Sequence, residues 1–569
     1  MVTAIIDLII IIAIAYGFGK KILNLICAPF EGIEQFLVAV ALGLGLVSFL
    51  VFGLGLVEQL SYPVIFAFLI TGILIGYQEI RKFLFGLWKD KPKIYWTKPK
   101  IASVLFILFI LLISFLGSLT PCTESDALRY HLAVPQFYLE KQGICYDPDN
   151  AFSNFPFFIE TLYTFTLAIT NNTILPKLIH WSFFLLTGMA IYTFTRRFFK
   201  DTNPLVPVAI YISTPFIPII SSWAFIESGL TFYIFIAIYS FCLIFDSNKE
   251  KMNYCLPSTT YCLLFSIFTG FLLGIKYSMV AVVFFLWIIL FIEIKKNYRA
   301  YSASFFSRIL LPTAYCLLLT FLIASPWYLK SFIYTGNPVY PLGYSVFGGA
   351  DWSRFNAEFY ASHAQAKGWL QQANQQNIFY RLAELFWLPW SVTMNPAKSA
   401  LNPVNFGDWQ LGPIYLAFIP LLILGRVMRK RKGAEITSQT TNINLISDFL
   451  FLTSIFYFIF WSATYRDNRF LLPILPLLSI LIAWALEQLR IANCGLRNYK
   501  NLGFGIWDLG FTTMLWLLLV YNALWMAQTV AKYHNPLSFI LGRESKEQYL
   551  TRNLDYYPMF QYINREIPQ

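Results

Sequence analysis

The chain has 569 residues, of which 57% are hydrophobic and 13% charged, and its mean hydropathy is +0.58. These values exclude a soluble globular protein. The formal net charge of +12 invites a nucleic-acid reading, but Lys and Arg fall in short clusters between apolar runs, as membrane orientation signals do.

Apolar-run length predicts an all-α polytopic membrane protein with about 14 crossings. The expected spans are 3–18, 33–57, 62–77, 101–119, 174–195, 204–221, 227–245, 258–275, 277–294, 309–325, 408–425, 446–463, 469–488 and 505–526. No basic region precedes Ile5–Tyr16, so that run reads as a retained span rather than a cleaved signal peptide. The first three spans and the basic linker 78–100 read as an accessory module, 1–100. A core over 101–529 follows, with a short, polar, helically patterned tail at 530–569 that suits a lid or cap. The 30 glycines and 28 prolines are tolerable in membrane helices, where neighbours satisfy freed backbone groups. No polar segment is long enough to fold alone, except the stretch 325–406.

The basic clusters set the orientation. Gln78–Lys100, Arg196–Lys200, Lys295–Arg299, Arg426–Lys432 and Leu496–Lys500 should be cytoplasmic. They share one side only if Phe157–Thr170, apolar but short, does not cross and is instead an interfacial or re-entrant helix. The loop 120–173, the turns at Glu227 and Lys276, the long loop 326–407, Tyr465–Arg469 and the tail then all face outward. Charges that the orientation argument never used have gathered on that face, which points to an outward-facing site in a plasma (inner) membrane.

Thr120–Thr161 concentrates acids, aromatics, two cysteines and a histidine directly after a span. Glu124 and Asp126 can accept a proton from a hydroxyl nucleophile or help hold a divalent cation; the plain alternative is a solvated loop acid. The segment that follows them is amphipathic. As a helix it groups Leu128, Tyr130 and Leu132 along the membrane interface and holds Asp126 at membrane level. Glu160 lies on the apolar helix, as a snorkelled acid or a catalytic one, and Glu227 has the same ambiguity. Lys276, Lys330, Arg466 and Arg469 sit near outer span ends. There they can grip a phosphate-bearing lipid headgroup or simply snorkel to bulk lipid. His131 suits a polar contact of the interfacial helix better than a metal ligand, since His180, His363 and His534 are remote in sequence. Eight cysteines include no CxxC pair and no zinc spacing. A disulfide between Cys122 and Cys145 and two free thiols both stay open. Trp369, Trp387 and Trp390 can stack on a sugar or pack in a core.

Together, TESDALRYHLAVPQFYLE, SNFPFFIETLY, SPWYLKSFIYTGNPVYPLGYSVFGG and RDNRFLLPILPLLSILIA resemble the GT-C glycosyltransferases. The similarity is to the bacterial polyprenyl-phosphate-sugar-dependent group related to protein mannosyltransferases and lipid A aminoarabinose transferases. It runs from about Ile101 to the C-terminus. The resemblance implies a GT-C-like fold and inverting sugar transfer from a polyprenyl phosphate to a lipid, glycan or protein acceptor outside the membrane. Asp126 then resembles the first-loop acid that engages the acceptor, Glu160 the second acid of that loop, and Glu227 the acid opening a later span. Lys276, Arg466 and Arg469 would face the donor phosphate, with Lys330, Tyr130 and His131 beside the substrates. A divalent cation is left open. Larger relatives continue past the position of Gln569 into an extracytoplasmic domain.

The residues agree with this chemistry on their own terms, because bases for an acceptor and cations for a leaving phosphate occur on one face. No Rossmann-like βα pattern offers a nucleotide-sugar site, so the expected donor is lipid-linked. Two other readings compete. A flippase or transporter of a lipid-linked sugar would place its charges at mid-bilayer and often show related halves. A polysaccharide polymerase or ligase would demand a long acceptor groove.

Overall fold

The structure, a computed structural model, describes residues 1–89, 97–246, 256–298, 311–365, 378–394, 410–431, 438–496 and 503–566. Among them every regular element is helical. Among the described residues, ten helices are long and apolar enough to cross a membrane: Val2–Leu25, Gly32–Leu56, Tyr62–Gly86, Lys98–Ser118, Ile174–Phe198, Glu227–Ile244, Thr313–Thr335, Ile443–Ala463, Asn468–Arg490 and Gly510–Lys532. The count of about 14 is therefore not reached by this measure. Of the expected spans outside the ten, 258–275, 277–294 and 408–425 fall on the helices Leu256–Ile275, Met279–Tyr298 and Ile414–Arg431. The run 204–221 is not one helix but two, Leu205–Ser213 and Phe216–Ser221. Pro215 explains the break: the residue before a proline is driven out of the helical region, and Thr214 has ψ 117°.

The N-terminal helices α1 (Val2–Leu25), α2 (Gly32–Leu56) and α3 (Tyr62–Lys89) pack on one another. Small residues let α1 and α2 touch backbone to backbone, as in other membrane bundles. A Cβ on Gly43 would lie 1.7 Å from the Ala15 carbonyl oxygen, and one on Gly19 equally close to that of Ala39. Behind them run α4 (Lys98–Ser118), α5 (Ala133–Glu140), α6 (Phe158–Thr170), α7 (Ile174–Phe198) and α8 (Glu227–Ile244). α2 is tied to this group by Ser48, whose hydroxyl donates to the Phe158 carbonyl at 2.7 Å, and by Tyr233, which donates to that of Ala41 at 3.0 Å.

At the end of the bundle away from Asp126, Arg197 joins three elements. Its Nη1 donates to both Glu34 oxygens at 2.9 and 2.8 Å, and Nε and Nη2 donate to Asp246 Oδ2 at 3.1 and 2.9 Å. Tyr239 adds an O–H donated to Glu34 at 2.7 Å.

Phe158–Thr170 is short, with 13 residues, and Phe158 through Leu167 are all buried inside the protein. One local expectation needs correction. The segment after Asp126 is not one amphipathic helix. Ala127–His131 forms a wide π turn, closed by Leu132 N–H to the Ala127 carbonyl at 2.9 Å, before α5 begins. That turn adds a residue to the helical repeat. Leu132 consequently enters the core while Leu128 stays exposed, so the two do not share a face.

Candidate functional site

Three separate stretches of chain converge on a fourth, at Arg469. Asp126 caps the π turn after α4, Glu227 comes from the first turn of α8, and Lys276 from the short connection after Leu256–Ile275. Arg469 itself lies in the Asn468–Ile474 turn, where the Asp467 carboxylate caps by accepting from the Arg469 backbone N–H at 3.1 Å. The guanidinium donates from Nη1 to Asp126 Oδ2 at 2.7 Å. Its Nε is 3.1 Å from Asp467 Oδ2 and 3.8 Å from Glu227 Oε1, yet no hydrogen bond closes on that nitrogen. Phe225 and Phe470 flank the guanidinium, 5.3 and 4.9 Å from their ring centres. Lys276 Nζ stands 3.3 Å from the centre of the Phe470 ring. Cations over an aromatic face are attracted by its quadrupole, more strongly away from water.

This arrangement shifts two groups outside the spans. Burial would raise the Asp126 carboxyl, but Arg469, aided by His131 and Lys276, holds it below the usual carboxylate range. Burial lowers the Lys276 ammonium to about 8, with Glu227 pulling the other way.

A second cluster lies behind the π turn. His131 Nδ1 is 2.8 Å from Glu160 Oε1, and both side chains are 2% exposed. Glu160 is therefore not snorkelled. Its Oε2 has no hydrogen-bond partner among the described residues. Lys330 is buried as well, its Nζ donating to the carbonyls of Ser153 at 2.8 Å and Phe155 at 3.1 Å, within electrostatic reach of Glu160. Lys330 thus does not snorkel. Tyr130 stacks on Phe152 at 4.8 Å and lies against the His131 ring at 4.0 Å.

Two of the expected residues are engaged elsewhere. Glu124 turns to Lys177, at 3.8 Å, and accepts from Cys122 Sγ at 3.0 Å and from the Thr123 backbone N–H at 3.1 Å. Lys177 is almost wholly buried and also donates to the Thr120 carbonyl at 3.1 Å. Arg466 pairs with Glu384, on the helix Ile378–Met394, and donates to the Ser462 carbonyl at 3.1 Å. Cys122 and Cys145 are both free thiols. Trp387 and Trp390 are exposed on the Ile378–Met394 helix; Trp369 lies outside the described residues. No group of three or more His, Cys, Asp or Glu is placed to hold a metal ion among the described residues.

Sequence reasoning missed Asp467, Phe225, Phe470 and Glu384. Asp467 was visible between the two arginines of RDNR, whereas nothing in the sequence marks these two among the chain's 56 phenylalanines. His180, set aside as remote, accepts the Ser228 backbone N–H through Nε2 at 2.9 Å, one residue from Glu227.

No family model matches the chain, and no curated protein does. It is structurally similar, at low identity, to two GT-C membrane glycosyltransferases. One is ArnT from Cupriavidus metallidurans bound to undecaprenyl phosphate, 14% identical with a TM-score of 0.42, over 80% of this chain and 77% of that one. Its apo state gives a TM-score of 0.41. The other is the archaeal oligosaccharyltransferase AglB from Archaeoglobus fulgidus, in complex with an inhibitory peptide and a dolichol-phosphate. It is 14% identical with a TM-score of 0.44, over 79% of this chain and 60% of that one.

Proposed function

We propose that this multi-pass membrane protein is an inverting glycosyltransferase. It moves a hexosyl or pentosyl group from a polyprenyl-phosphate donor to a hydroxyl-bearing lipid, glycan or protein acceptor on the extracytoplasmic side of the plasma membrane. The observation that carries the reading is a pair of cations beside Asp126. Arg469 and Lys276 both lie against Phe470, and Lys276 Nζ makes no hydrogen bond among the described residues. A phosphate that displaces Asp126 from Arg469 Nη1 meets two positive groups already in place, and such preorganised charge stabilises a leaving phosphate.

The three carboxylates around Arg469 outnumber those two cations, so an incoming phosphate competes with Asp126 for the guanidinium. Donor binding then frees Asp126 to engage the acceptor hydroxyl. Glu227 and Asp467 stay behind and keep Arg469 from following the phosphate away.

Transfer is tested in proteoliposomes with radiolabelled polyprenyl-phosphate hexoses and pentoses and extracted membrane lipids as acceptors, wild type beside Asp126→Asn. Label that leaves its carrier only with wild type supports the transferase. Label that changes leaflet while staying on its carrier establishes a flippase and removes the reading.

A further inference from the structure

The structure contains a second proton acceptor beside Asp126, and its partners are already arranged. His131 touches Glu160 through Nδ1 at 2.8 Å. An ionised carboxylate can only accept, so against it Nδ1 is the donor, and a neutral imidazole held this way presents its lone pair at Nε2. Nε2 makes no hydrogen bond among the described residues. Asp126 lies within electrostatic reach of this ring, as do Glu227 and His180. Lys330, held by two carbonyls, lies within electrostatic reach of Glu160. Lysine, carboxylate and imidazole thus stand in sequence, ending at a free nitrogen near the acid that engages the acceptor.

We propose that His131 is the general base of the transfer reaction and that Glu160 is its positioning residue. The inference rests on the glycosyltransferase reading and moves the proton from Asp126 to His131. Asp126, once donor phosphate has taken over the guanidinium at its Oδ2, still faces the positive Lys276, and as a carboxylate it is a weaker base than an imidazole. An imidazole oriented by a buried carboxylate is the arrangement by which other enzymes deprotonate hydroxyls. In the step itself, the acceptor O–H proton passes to His131 Nε2 while the acceptor oxygen bonds to the anomeric carbon. The bond from that carbon to the phosphate oxygen breaks, its electron pair staying on the phosphate beside Arg469 and Lys276. The imidazolium then returns its proton to water.

The same proteoliposome assay decides the matter with His131→Ala and Glu160→Gln, each first checked for a monodisperse peak in detergent. His131→Ala should lose about 100-fold or more in turnover, the usual worth of a general base, with the donor KM little changed. Added imidazole should restore part of that turnover, and substituted imidazoles should do so in order of their base strength. Glu160→Gln, which keeps the shape but fixes the ring less firmly, should lose about tenfold or more in turnover and gain nothing from imidazole. Turnover of His131→Ala equal to wild type, with Asp126→Asn inactive, overturns the base assignment and leaves the transferase standing. A loss in His131→Ala that imidazole does not restore gives His131 a structural role and also overturns it. A wild-type protein that moves no label from its carrier overturns both readings together.

Discussion

Arg469 holds Asp126 through a single hydrogen bond from Nη1, a contact that a phosphate oxygen can take over. Asp126→Asn removes the negative partner while keeping the shape. Folded protein with transfer reduced about 100-fold or more is the expected result, measured as label released from the donor. Lys276 supplies a test by pH. Its ammonium is lowered to about 8 by burial, and a lysine is cationic only below its pKa. Donor phosphate should therefore bind fully below that value and weaken as pH rises through it. Lys276→Arg should flatten the limb, because a guanidinium does not titrate in this range, and Lys276→Ala should weaken donor binding at every pH. Donor KM measured across the range checks both; an unchanged KM in Lys276→Ala would remove it from the phosphate site.

Helices meet where their side chains are small or their polar groups are paired, and both cases occur here. Gly43 meets the Ala15 backbone so closely that no larger residue fits without parting α1 from α2. Gly43→Val should cost about 1–3 kcal/mol or more in packing strain, read as a lower unfolding midpoint in detergent with little change in donor KM. The helices themselves were legible, because a run of apolar residues long enough to cross a bilayer is a strong signal. Pro215 and the π turn were not weighed. Run length averages over a proline, and a helical projection assumes a constant angle per residue that a π turn breaks, which is why Leu128 and Leu132 were placed together. Asp126, Glu227, Lys276 and Arg469 were each legible as charges at helix ends, and the structure brings all four together. The partnership of His131 with Glu160 was not, since 29 residues and a turn of unforeseen pitch separate them. Glu124 misled for the opposite reason: its neighbour in sequence is Asp126, but its partner in space is Lys177, 53 positions away.

The site and the Arg197 network occupy opposite ends of the molecule, and the proposed orientation puts the first outside and the second within the cell. Ser125 and Lys200 are both exposed and mark those two ends. In a background stripped of native cysteines, Ser125→Cys should react with a membrane-impermeant maleimide from outside intact cells, and Lys200→Cys only after lysis. The reverse pattern would turn the protein over and put the donor site on the wrong leaflet. One helix reaches both ends. Glu227 opens α8 beside Arg469, and Asp246, two residues beyond its last turn, is gripped by Arg197. A rod fastened at both ends cannot slide or tip to make room for a guest. Accommodation of a bulky acceptor is thereby left to the side of the site where Arg466 reaches Glu384, and the amide hydrogens of residues 227–244 should be among the slowest in the protein to exchange.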